Sequence, residues 1–120
     1  MSTGKVARAD RDSRRAPIFA ALGDETRLAI VTRLAVGQPH SISQLAKGTN
    51  LTRQAVTKHL VVLQNVGLVR SLKSGRENLF EFEPEPLVDV REYLDFVSQQ
   101  WDEALFRLKA LIENESVAEE

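Results

Sequence analysis

The chain has 120 residues, 42% hydrophobic and 28% charged, with a net charge of −1 and no cysteine. This is one domain's length, with enough apolar residues for a core, and it excludes disulfides, thiolate metal sites and cysteine redox chemistry. No run reaches the roughly 18 apolar residues of a membrane span. No apolar stretch precedes Ala16, so no secretory signal is expected and a cytoplasmic location follows by default.

Residues 1–15 are polar, with five cations (Lys5, Arg8, Arg11, Arg14, Arg15) and no hydrophobic period, and read as a flexible basic tail. A short helix is expected over 17–22, with Pro17 in its first turn and Gly23 ending it. Asp24 is a good N-cap for a second helix over 25–36, and Glu25 complements the dipole in the first turn. Leu28, Val31, Leu34 and Ala35 form its expected buried stripe, and Gly37 stops it. Gln38-Pro39-His40 reads as a turn, and Ile42 as a single short pairing strand. Ser43 is expected to cap a third helix over 44–48 that turns Leu45 and Ala46 inward, and Thr49-Asn50-Leu51 joins it tightly to the next.

The next helix, over 53–66, has two distinct faces at 100° per residue. Ala55, Val56, His59, Leu60, Val62 and Leu63 share one side. Arg53, Gln54, Thr57, Lys58, Val61 and Gln64 share the other, which carries no acid. Thr52 can cap the helix, and Gly67 stands where a left-handed C-cap residue belongs. The polar side has the side chains that read DNA: Arg forks to guanine, Gln pairs with adenine, Thr touches a base or the thymine methyl, and Lys neutralises phosphate. From Lys47 to Arg76 there are six cations and no Asp or Glu, so a polyanion is the natural partner. Two helices joined by a short turn, the second with an exposed basic face, make a helix-turn-helix.

Residues 68–72 and 79–82 suit strands, the second alternating Phe80 and Phe82 with Glu81 and Glu83. Lys73-Ser74-Gly75-Arg76 turns between them, so the wing at 70–82 is a β-hairpin with a basic tip, and Pro84 and Pro86 end its second strand. A last helix is expected over 87–112. Leu87, Val90, Leu94, Val97, Trp101, Ala104, Leu108 and Leu111 follow a 3,4 spacing, and Tyr93, Leu105 and Ile112 widen this seam. Such a helix would be ~39 Å long and overshoot a small winged core, so its seam is expected to pack against a second copy. The acidic residues from Asn114 read as a fraying tail.

Charge is split along the chain. Residues 1–86 hold 13 bases and 8 acids, whereas residues 87–120 hold 3 bases and 9 acids. The first part suits an anionic partner, and the second suits water or another protein. The predicted architecture is mainly α, about five helices plus a two- to three-stranded wing. It divides into a basic tail over 1–15, a winged helix-turn-helix over 16–86, a dimerisation helix over 87–113 and an acidic tail over 114–120.

Five stretches resemble the ArsR/SmtB winged-helix repressors in order and spacing. They are Phe19-Ala20-Ala21-Leu22-Gly23-Asp24-Glu25-Thr26-Arg27-Leu28-Ala29-Ile30, Ser43-Gln44-Leu45-Ala46, Thr52 through Leu60, and Val66-Gly67-Leu68-Val69 followed by Gly75-Arg76. The likeness covers about residues 16–112. The resemblance implies a homodimer that binds a near-palindromic operator on double-stranded DNA and represses transcription. Metal sensors of that family carry a Cys pair in the third helix, or Asp and His ligands on the last. Here the third helix has no Cys and the last helix no His, so the likeness points to the branch without metal sites. No cofactor is expected, and the effector, a small molecule if there is one, stays open.

The expected DNA contacts are Arg53, Gln54, Thr57 and Lys58 in the major groove, with Arg53 and Gln54 deepest, Ser43 and Thr52 at phosphates, and Arg76, with Lys73 behind it, at the minor groove or a phosphate. Val61 and Gln64 lie further along and skirt the backbone. The expected dimer contacts are Leu87, Val90, Leu94, Val97, Trp101, Leu105 and Leu108. His59, inside the apolar arc, reads as a packed, hydrogen-bonded residue, and Asp24, Glu25 and Arg27 as a cap with local ion pairs. Catalysis is not expected: there is no Gly-rich phosphate loop, Cys nucleophile or Ser/His/Asp signature. The rival reading is a winged helix that docks proteins and never meets DNA.

Overall fold

The computed structural model describes the backbone of residues 3–119 and the side chains of residues 13–114. The chain order is α1 (Thr3–Leu22), α2 (Glu25–Val36), β1 (His40–Ser41), α3 (Ile42–Thr49), α4 (Arg53–Asn65), β2 (Val69–Ser74), β3 (Glu77–Phe82) and α5 (Pro86–Glu119). One compact unit ends at Asp89 and a second begins at Val90. The strands form one antiparallel sheet in the order β1-β3-β2.

The first unit is built on a core of Ile30, Leu45, Val56, Leu60, Leu63 and Leu68, all essentially inaccessible, extended by Ile18, Ala21, Val31, Leu34, Val69 and Phe80. The helical periodicity of α4 supplies Val56, Leu60 and Leu63 to this core. In α2 the expected stripe is partly wrong. Leu28 and Ala35 are exposed while Ile30 is fully buried. Two apolar registers overlap in Leu28-Ala29-Ile30-Val31, and packing on α1, α4 and β3 selects the one centred on Ile30.

Several boundaries move. The segment expected as a basic tail is helical from Thr3, because 5–16 holds no Gly or Pro and its Ala, Arg and Lys residues form helix well without any apolar stripe. Pro17 therefore lies inside α1 and contributes no N–H to it. At the other end α5 continues to Glu119 through residues that include no Gly or Pro, instead of fraying at Asn114. Ser41, not Ser43, caps α3: its hydroxyl accepts from the Gln44 N–H at 3.2 Å, and Gln44 Oε1 accepts from the Ser41 N–H at 2.8 Å. Only Ser41 has a Gln three residues later, so only it can close this reciprocal capping box. Residue 42 thus opens α3, and the short strand is His40–Ser41, pairing His40 with Phe80 and Ser41 with Leu79. Helix α3 runs one residue past the expected end, to Thr49, and is capped by Asn50 in the left-handed region at φ 61°. The guanidinium of Arg33 occupies the place where a side chain at residue 48 would begin.

Helix α4 starts as expected and ends one residue short of the expected 66, at Asn65. Thr52 Oγ1 accepts from the Ala55 N–H at 3.1 Å. At the other end Leu68 N–H donates to Leu63 O and Gly67 N–H to Gln64 O, both at 3.0 Å, with Gly67 at φ 80°. This pair of bonds is a Schellman motif, and it needs a residue tolerant of positive φ at position 67.

The junction of α1 and α2 carries the local chemistry of Asp24. Its carboxylate accepts from the Arg27 N–H at 3.0 Å, while Arg27 Nε donates back to Ala21 O at 2.7 Å, so one side chain caps each helix end. His59 Nδ1 stands 3.8 Å from the same carboxylate, half-buried. The Arg27 N–H bond, with the nearby positive charge, holds the Asp24 carboxyl below its ordinary value of 3.8. A folded-state value below the unfolded one gives stability that is present above the unfolded value and is lost as pH falls through the folded one. Asp24→Asn keeps an acceptor at the cap but cannot titrate. The wild type is therefore expected to lose more stability than the variant between pH 7 and pH 3, as read by urea midpoints. Equal losses would remove Asp24 from the acid response.

The second unit is the remainder of α5. The whole helix is ~51 Å long at 1.5 Å per residue. Val90 is buried and Val97 and Ala104 half-buried, but Leu94, Trp101, Leu105, Leu108, Leu111 and Ile112 are exposed in the single chain. Leu87, in the first turn, is half-buried. Among the described residues no helix is long and apolar enough to cross a membrane.

Candidate nucleic-acid interface

Helices α3 and α4 are joined by the three residues Asn50, Leu51 and Thr52. Asn50 takes the left-handed conformation that reverses the chain, and Thr52 caps the helix that follows. Burial of Leu45 from α3 and of Val56, Leu60 and Leu63 from α4 fixes the pair, leaving the opposite side of α4 open. Arg53, Gln54, Thr57, Lys58, Val61 and Gln64 are all exposed there.

The wing is tied to this element through its backbone. Ser41 ends β1, which pairs with β3, and in the same position caps α3. The hairpin strands pair from Val69–Phe82 to Ser74–Glu77, so the turn is Gly75-Arg76, with Gly75 at φ 64°. The strands reach further than the sequence suggested because Lys73 and Ser74 still pair with Asn78 and Glu77.

Two adjoining depressions gather the expected residues. One, of ≈ 330 Å³, is lined by Ser43 of α3, Arg53 of α4, and Arg76 with Asn78 of the wing, among others. The other, of ≈ 570 Å³, is lined by Ile42, Arg53, Gln54, Thr57 and Lys58. Arg53 belongs to both. Thr52 stands at the start of the same helix with its oxygen engaged by the Ala55 N–H. Lys73 is exposed on β2 and lines neither depression. Thr57 donates its hydroxyl hydrogen to Arg53 O at 2.8 Å, so it offers a partner an acceptor and a methyl.

Not every cation in the acid-free window is available. Arg70 Nε donates to Glu81, its cross-strand partner in register, and lies 3.4 Å from Glu83. The bond from Arg70 to Glu81 raises the guanidinium's pKa further, so it stays charged, and the carboxylates of Glu81 and Glu83 offset that charge on the hairpin. A count along the chain cannot see this pair, though the alternation in residues 79–83 places Glu81 on one face with residues of β2. Ser41, Glu77 and Asn78 also line the first depression and were missed. The capping-box spacing Ser41–Gln44 was the readable signal for the first, and the register of a two-residue turn for the others.

A three-helix helix-turn-helix with a sheet-borne wing beside the second helix's open face defines a winged helix-turn-helix protein. The family described as "Helix-turn-helix domain" matches residues 22–71. The HTH-type transcriptional regulator Rv2034 of Mycobacterium tuberculosis is 38% identical over 97 residues, covering 81% of this chain and 87% of that protein. The solved structure of an ArsR-like transcriptional regulator from Rhodococcus sp. RHA1 matches with TM-score 0.69 and 39% identity, over 82% of this chain and 92% of that one. A homodimeric winged helix-turn-helix domain from Mycobacterium bovis shares the fold at TM-score 0.59 and 23% identity, over 87% of this chain and 93% of that one. The chain belongs to the ArsR family of winged helix-turn-helix transcriptional regulators. It is a DNA-binding regulator and not an enzyme.

Proposed function

We infer that the protein works in the cytoplasm as a homodimeric repressor of a near-palindromic operator. Helix α4 of each protomer enters the major groove, and the wing turn follows the neighbouring backbone. The observation that carries this reading is the convergence of Arg53, Arg76 and Ser43 from three elements on one depression beside the open face of α4. Ser43, Thr52, Lys73 and Arg76 contact phosphate, as do Arg53 and Lys58, and Gln54 and Thr57 meet the bases. The dimer forms through the α5 seam of Leu87, Leu94, Val97, Trp101, Leu105 and Leu108; Val90, expected among them, is already buried within the single chain and is not part of it. The dimer sets half-site centres ~10 bp apart or a multiple of it. The fold-related domain from Mycobacterium bovis, which is homodimeric, supports that assembly.

A salt titration tests the reading. Arg53, Lys58, Lys73 and Arg76 from two protomers give eight phosphate contacts, so log K against log salt is expected to fall with a slope of about −7. Weak binding that ignores salt would instead favour the protein-docking role.

A further inference from the structure

The middle of the open face of α4 carries methyl groups, not charge. With Arg53 set at 0°, 100° per residue places Gln64 at ~20°, Thr57 at ~40°, Val61 at ~80°, Gln54 at ~100° and Lys58 at ~140°. Exposed Asn65 at ~120° and Val62 at ~180° extend the arc, so Arg53 stands at one edge, Val61 and Gln54 nearest the centre, and Thr57 and Lys58 on either side of them. A helix fills most of the ~12 Å width of a major groove. The centre of its outward arc meets the groove floor and the base edges, and its edges meet the phosphate walls.

Neither Thr57 nor Val61 serves the fold. Val61 is 47% exposed and belongs to no core. Thr57 is exposed, and its hydroxyl hydrogen is already engaged by Arg53 O. Both are β-branched, a poorer choice for an exposed helix position than Ala, Gln or Lys. What they share, one turn apart, is an apolar surface turned outward within a polar face. On the floor of a B-DNA major groove the complementary apolar group is the 5-methyl of thymine. Gln54, beside them, has the amide that pairs with adenine N6 and N7.

We propose that α4 reads A·T pairs, with Thr57 and Val61 packed on a thymine 5-methyl group, Gln54 on adenine, and Arg53 and Lys58 on the two phosphate walls. This rests on the reading of α4 as the DNA-facing helix, and it makes Val61 a specificity residue and Arg53 a phosphate contact.

The test uses the full chain and duplexes recovered by selection from random DNA, resynthesised with deoxyuridine replacing one thymine at a time. Losing a methyl at one or two positions per half-site is expected to weaken wild-type binding about three- to fivefold. Val61→Ala, at a position outside the core, is expected to bind the thymine duplex more weakly and to be indifferent to uracil at one of those positions. The variant's melting temperature should match the wild type's. The proposal is overturned if the wild type ignores every methyl, or if Val61→Ala keeps the full wild-type pattern of uracil sensitivity. It is overturned too if the selected half-sites hold no A·T pair at their centre. If no duplex is enriched at all, the DNA-facing reading fails first, and this outcome is distinct from the others.

Discussion

Trp101→Glu is expected to split the proposed homodimer. Trp101 is 64% exposed in the single chain, at the middle of a seam whose Leu94, Leu105 and Leu108 are exposed on either side of it. Burying such a ring contributes about 3 kcal/mol, and a dimer buries two. Losing both weakens self-association by roughly four orders of magnitude, before counting the repulsion of two carboxylates brought together. The monomer would still fold, because the core of the first unit contains nothing beyond Phe80. Operator affinity should fall by about 10²–10⁴, since the second half-site no longer binds at high effective concentration. Sedimentation gives the oligomeric state directly. Phe106→Glu is the control: Phe106 is 73% exposed, but ~140° from Trp101 around the helix. The control should remain dimeric. A dimeric Trp101→Glu protein would refute the seam.

How far the sequence revealed this molecule depended on whether each signal was local. Helix α4 was legible because its cap, its apolar period and its terminal glycine all lie within 16 residues, from Thr52 to Gly67. The Gly75 turn and the two flanking strands were legible for the same reason. The glycine at residue 48 could not be explained from the sequence, because the Arg33 guanidinium that takes the place of a side chain there lies 15 positions away in the chain. Arg70 misled because the carboxylates that neutralise it lie 11 and 13 residues on and meet it only when the hairpin closes. The helix before Pro17 was missed because its residues favour helix by propensity and show no apolar stripe. In α2 the exposure of Leu28 could not be read, because the choice between overlapping stripes is made by α1, α4 and β3 together.

The candidate interface was legible in composition but not in geometry. The acid-free window named the cations. Only the fold shows that Arg76 and Arg53, 23 positions apart, line one depression, and that Lys73 stands apart from it. The link is Ser41, whose pairing with Leu79 fixes β3 beside the first turn of α3. A wing anchored there is held in a set relation to α3 and α4, which would reduce the ordering cost of binding DNA if both meet it.

Neighbouring substitutions on α4 should separate folding from binding. Leu60 is 1% exposed in the centre of the core, so Leu60→Ala is expected to cost ~2–5 kcal/mol, the transfer free energy of the deleted atoms plus the cavity they leave. For a chain of this size that lowers the melting temperature by roughly 10–20 °C. Lys58, two positions earlier, points into solvent beside Thr57 and Gln54. Lys58→Ala should leave the melting temperature nearly unchanged, within about 0.5 kcal/mol of stability. It should nevertheless weaken binding to every duplex alike. The salt slope should become shallower by about 2, because each protomer then neutralises one phosphate fewer. Calorimetry and the salt titration therefore give opposite rankings for two residues half a helical turn apart. If Lys58→Ala lowered stability as Leu60→Ala does, or left the salt slope intact, the polar face of α4 would not be the surface that meets DNA.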